Sequence, residues 1–190
     1  MSAFEHVTAL LSFVYALALT HLLARIAELI VARERIKFSG LLVLGMVNAV
    51  LLVFVNWLSL WDLRSITSWD LASVAIQFLF AVSVYVVCAL VGPKVPDEGL
   101  LDLEDFFWRQ RFYFYGAIVV CLILALLANL DFLKTANTAL LLKENLGTIA
   151  IMIPTILGLT SRNRVVQWMA GVCLLALTIT FAIMFSSHLG

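Results

Sequence analysis

Six apolar runs, each close to the roughly 20 residues a helix needs to cross a hydrocarbon core, constrain this chain more than any other feature. They are Phe4–Leu23, Ser39–Trp61, Leu71–Val91, Phe112–Leu130, about Leu140–Leu159, and Val165–Phe185. Breakers separate them: Arg33-Glu34-Arg35, then Asp62 with Arg64, Gly92-Pro93, Asp131, and Ser161-Arg162-Asn163-Arg164. A chain of 190 residues, 64% hydrophobic and 13% charged, cannot bury that much apolar surface in a water-soluble core. The expected fold class is therefore all-α. The chain should form a single membrane domain, 1–190, with helices at about 4–31, 39–61, 71–91, 106–130, 138–159 and 165–186.

The fifth run is the weakest. Lys143 and Glu144 stand near its start, so only Asn145–Leu159 is cleanly apolar. It spans fully if Leu140–Leu142 extend it and Lys143 snorkels outward; otherwise it is a re-entrant half-helix. The first run is read as a permanent helix rather than a cleaved signal, because Met1 to His6 carry Glu5 and no Lys or Arg.

Loop charge sets the expected orientation. Nine basic residues fall on one side: Arg25, Arg33, Arg35, Lys37, Lys94, Arg109, Arg111, Arg162 and Arg164. Only Arg64, Lys134 and Lys143 fall on the other. The positive-inside rule makes the nine-residue side cytoplasmic and puts both termini outside, in a bacterial-type inner membrane. A net charge of zero gives no field to attract nucleic acid.

Within lipid, polar side chains need partners, so their spacing marks special faces. Helix one carries Glu5, Thr8, Ser12 and Tyr15 on one face, and His21, Arg25 and Glu28 on another. Helix two aligns Gly45, Asn48, Asn56 and Ser59; helix three, Ser73, Gln77, Ala81 and Cys88. Helix five aligns Glu144, Thr148, Thr155 and Gly158; helix six, Gln167, Gly171 and Thr178. These stripes are either helix–helix seams or the lining of a hydrated path. On the path reading, the lining and switch candidates are Tyr15, His21, Arg25, Asn48, Asn56, Gln77, Glu144, Thr148 and Gln167. His21 would serve as a pH-sensitive group. Pro154 predicts a kink in helix five.

The loop before helix four has its own pattern. Asp102 is placed to cap a helix, with Asp105 in the first turn. A short interfacial helix should run from there into helix four. Trp108, Tyr113 and Tyr115 would anchor it on the cytoplasmic side, with Trp57, Trp61 and Trp69 forming the outer belt. The same segment, 97–111, is the candidate docking surface for a protein partner through Asp102, Glu104, Asp105, Arg109 and Arg111.

Catalytic signatures are lacking. The sequence holds no HExxH, Gly-x-Ser-x-Gly, phosphate loop or glycine-rich dinucleotide turn. Its only histidines are His6, His21 and His188, and its three cysteines have no metal spacing. No enzyme activity, cofactor or metal is expected.

Three stretches resemble a group of small bacterial six-helix membrane proteins, a likeness that conveys no activity. They are Val14-Tyr15-Ala16-Leu17-Ala18-Leu19-Thr20-His21-Leu22-Leu23, Trp57 to Arg64, and Phe106-Phe107-Trp108-Arg109-Gln110-Arg111-Phe112-Tyr113-Phe114. Helix count and Val-Tyr-Ala-Leu-Ala-Leu-Thr are also distantly similar to prokaryotic relatives of the endolysosomal potassium channel family. That family carries Phe-Ser-Asp in its first helix, where this chain has Leu11-Ser12-Phe13, and keeps its termini in the cytoplasm. The leading expectation is a homo-oligomeric pore or transport path for a small ion or solute. The alternative is a non-conducting scaffold or regulatory subunit.

Overall fold

The computed structural model describes residues 3–66, 69–132 and 138–186, with side chains over 3–64, 66, 69–130 and 145–184. The described helices are α1 (Ala3–Val31), α2 (Gly40–Ser59), α3 (Leu71–Val91), α4 (Leu103–Phe132), α5 (Thr138–Thr160) and α6 (Arg164–Ser186). Two two-residue strands, β1 (Ile36–Lys37) and β2 (Leu101–Asp102), lie in the links before α2 and α4.

Among the described residues, five helices are long and apolar enough to cross a membrane: α1, α2 with the 3₁₀ turn after it, α3, α4 and α6. The sixth contributes the shorter apolar segment Asn145–Thr160, about 24 Å at 1.5 Å per residue. Its backbone is nevertheless a continuous 23-residue helix with Pro154 inside it. The architecture is consistent with a multi-pass integral membrane protein.

The helices form a ring. α1 packs on α3, α3 on α4, α4 on α5, α5 on α6 and α6 on α2, which closes back against α1 and α3. Helical spacing selects the buried faces: Leu11, Tyr15, Ala18 and Leu22 on α1, and Ala81, Val84, Val87 and Cys88 on α3. The opposite faces are equally oily. Phe13, Leu79, Ile153, Met169 and Ile183 are all exposed. An apolar exterior surrounding an apolar core is the pattern that hydrocarbon solvates and water does not.

Two seams are set by missing side chains. A Cβ on Gly40 would lie 2.9 Å from the Trp168 ring, and one on Gly171 would lie 2.6 Å from Leu44. These glycines let α2 and α6 run close together in parallel, so their first turns share one end of the bundle.

That end is tied across the chain. β1 and β2 pair in parallel, Ile36 with Leu101 and Lys37 with Asp102. Parallel pairing follows because each strand leads into a helix starting from the same end. The segment before α4 differs from expectation. No separate interfacial helix intervenes among the described residues; α4 itself begins at Leu103 and continues unbroken for 30 residues. At about 45 Å it is longer than a hydrocarbon core of about 30 Å.

Candidate functional site

The polar groups of the bundle concentrate where α4 and α6 begin and α5 ends. Asp102 is the organiser of the first turn of α4. Its Oδ1 accepts from the backbone N–H of Glu104 (2.9 Å) and of Asp105 (3.1 Å), the cap its position predicts. Its Oδ2 accepts from Lys37 Nζ at 2.8 Å. The lysine bond and the two amide bonds hold the Asp102 carboxyl below its usual range, and the Lys37 ammonium is raised, first by the same bond. A depressed carboxyl contributes fully above the ordinary carboxylate range, about 4, and its contribution is lost as pH falls through the depressed value. Carboxyl ¹³C titration should find Asp102 ionising below an ordinary aspartate, and Lys37→Gln should move it up. An unchanged midpoint in Lys37→Gln would remove this linkage.

Glu104 joins three elements. Its Oε2 accepts from Ser39 Oγ (2.8 Å), its Oε1 from Trp108 Nε1 (3.1 Å), and Arg164 Nη2 lies 3.7 Å from Oε1. The buried Ser39 immediately precedes α2 and Arg164 opens α6. One carboxylate thus links the starts of α2, α4 and α6.

Arg111 lies deeper and is 7% exposed. Its Nη1 donates to the carbonyls of Gly158 (3.1 Å), Leu159 (3.0 Å) and Ser161 (2.8 Å). The last carbonyls of a helix lack intrahelical partners and carry the negative end of its dipole. A guanidinium answers both needs. Gln167 Nε2, from α6, donates to two of the same carbonyls, Gly158 and Ser161, at 2.7 Å each. Arg111 and Gln167 together clamp the end of α5 from two neighbouring helices.

Of the predicted docking residues, Asp102, Glu104 and Arg111 all bond within the chain; Arg111 is buried, whereas Asp102 and Glu104 stay partly exposed. Asp105 and Arg109 pair with each other on the exposed side of α4. The predicted path residues are also scattered among the seams. Tyr15, Asn48, Gln77 and Gln167 are buried. Asn48 Nδ2 donates to Leu44 O (2.9 Å) and, across to α6, to Gly171 O (3.1 Å). Half-buried Asn56 donates to Leu52 O on its own helix at 2.7 Å. His21 stacks at a tilt near Tyr85, centroids 5.8 Å apart. Arg25 binds Glu28 at 2.8 Å, and its stem covers Gly92 at the end of α3. Thr148 is half-buried. The side chain of Glu144 and all of His188 lie outside the described residues.

Five threonine hydroxyls share one pattern. Thr8, Thr155, Thr160, Thr178 and Thr180 each donate to the carbonyl four residues back, at 2.7–2.8 Å. That bond satisfies the hydroxyl proton without any partner from water.

The sequence pattern missed the Arg111–Gln167 clamp. A signal was present in the spacing, since Gln167 follows the end of the fifth apolar run by only eight residues, across the short Ser161–Arg164 link. Compared with protein-family models, curated proteins and solved structures, the chain matches none.

Proposed function

We propose that this protein is a non-conducting, six-span membrane subunit of a bacterial-type plasma membrane. Its tied, basic end faces the cytoplasm and presents a charged collar to a protein partner, while both termini lie outside. The observation that carries this reading is how the polar side chains are used. Asn48, Gln77, Gln167 and Tyr15 are buried, and the hydrogen bonds of Asn48 and Gln167 run to backbone carbonyls. Buried groups cannot line a path inside a packed bundle, nor an axis between copies, without repacking the core.

The collar left for a partner is the exposed set Arg33, Glu34, Arg35, Asp97, Glu98, Asp105, Arg109 and Arg162. Asp102 and Glu104 belong to the internal scaffold instead. Purified protein in liposomes should give no flux of K⁺, Na⁺, H⁺ or Cl⁻ above empty vesicles. Flux reduced by Asn56→Leu or Gln77→Leu would overturn the reading in favour of a pore. In cells, a co-purifying protein should be lost when Asp105 and Arg109 are both neutralised. Its retention would remove the collar from the interface.

A further inference from the structure

A small void lies where five helices converge. It is lined by Asn48 of α2, Val87 of α3, Ile118 of α4, Ile151 of α5, and Leu174 and Thr178 of α6. Ala49 and Leu52 of α2 complete the lining, and six of the eight residues offer only hydrocarbon. The other two offer oxygen.

The orientation of the Asn48 amide is fixed by its surroundings. Two carbonyls, Leu44 O and Gly171 O, face one end of it. Only the NH₂ end can meet two acceptors, since a flipped amide would set oxygen against oxygen. Oδ1 must therefore be the other end, and it is buried with no hydrogen-bond partner among the described residues. The residue is 5% exposed. Thr178 offers a second acceptor: its hydroxyl proton is used by Leu174 O at 2.8 Å, which leaves lone pairs on Oγ1.

We infer that this void binds one ordered water molecule, which donates one hydrogen to Asn48 Oδ1 and the other to Thr178 Oγ1. Water is the chemical class that fits. The site supplies two acceptors and no donor, which suits a small neutral molecule with two donor hydrogens. A metal cation would require more oxygens than two. An anion would be repelled. A purely apolar occupant would leave the amide oxygen unpaired, whereas buried waters are typically held by two to four such groups. The trapped molecule completes the hydrogen bonding of Asn48, whose other end already joins α2 to α6.

The test is an experimental density map at a resolution that resolves ordered waters, for the parent protein and for Thr178→Val. That substitution keeps the shape of the side chain and removes the acceptor. The expected result is an isolated peak within hydrogen-bonding distance of both oxygens in the parent, absent in Thr178→Val. Three outcomes overturn the inference: no peak where other buried waters are seen, a peak unchanged in Thr178→Val, or a continuous file of waters reaching either end of the bundle.

Discussion

Arg111→Ala should unfold well before the parent protein, by about 3 kcal/mol, the scale expected when a charged hydrogen-bonding group is removed and its partners stay buried. The three carbonyls at the end of α5 do not fare equally. Gly158 and Ser161 keep the Gln167 amide, so Leu159 loses its guanidinium donor with no such replacement. Arg111→Lys should fall between, because one ammonium restores the charge opposite the helix dipole but not a planar fork. The clamp also predicts coupling. Because Arg111 and Gln167 share acceptors, the double variant Arg111→Ala/Gln167→Ala should depart from the sum of the single losses. Denaturant titration in mixed micelles reads these quantities. Arg111→Ala as stable as the parent, with additive behaviour, would mean that the clamp does not hold α5.

Gly158→Ala should be nearly as damaging, at about 2 kcal/mol, within the 1–3 kcal/mol range for overpacked cores. Helix propensity argues the other way, since alanine is favoured over glycine by up to about 1 kcal/mol in a helix. Sterics win because an added Cβ would fall closer to three Tyr115 ring carbons than real Cβ contacts come. Tyr115 is itself buried, so the ring has little room to retreat. The Gly158 carbonyl is also held by both members of the clamp, and a shift of the backbone there disturbs two donors together. Replacing Tyr115 with Leu should recover part of the loss in the double variant. Gly116→Ala is the matched control. Its new Cβ would meet only Leu159 Cδ1, at 4.0 Å, so it should be neutral or slightly stabilising. Equal losses at both glycines would contradict the packing argument.

The bundle could be read from the sequence because long apolar runs set the helices and breakers impose their ends. Gly92-Pro93 and Ser161–Arg164 mark the ends of α3 and α5, and Asp102 caps α4 as its spacing indicates. The site was harder. Arg109 and Arg111 look alike in a charged segment, yet one is exposed and paired with Asp105 while the other is buried under α5. Two residues along a helix turn a side chain by about 200°, and only tertiary packing says which direction faces the neighbour. Glu104 raises the same difficulty. Its three contacts come from Ser39, Trp108 and Arg164, two of them about 60 residues away in sequence. The stripes containing Asn48 and Gln167 pointed to buried faces without distinguishing a seam from a path. Within one chain, the amide nitrogens of Asn48 and Gln167 donate to the carbonyls of Gly171, Gly158 and Ser161, contacts that no sequence spacing announces.

The arrangement as a whole places three links together: β1 against β2, Arg164 beside Glu104, and Arg111 on the end of α5. All three lie at one end of the bundle, and on the proposed six-span reading that end is cytoplasmic and α5 crosses in full. Impermeant-thiol labelling in sealed vesicles tests this most directly, in a cysteine-free background with single cysteines at Glu34, Glu98, Asn163, Asp62 and His6. The first three should react only from the cytoplasmic face and the last two only from the opposite one. If Asn163 reacts from the same side as Asp62, α5 does not cross and the six-span bundle is wrong.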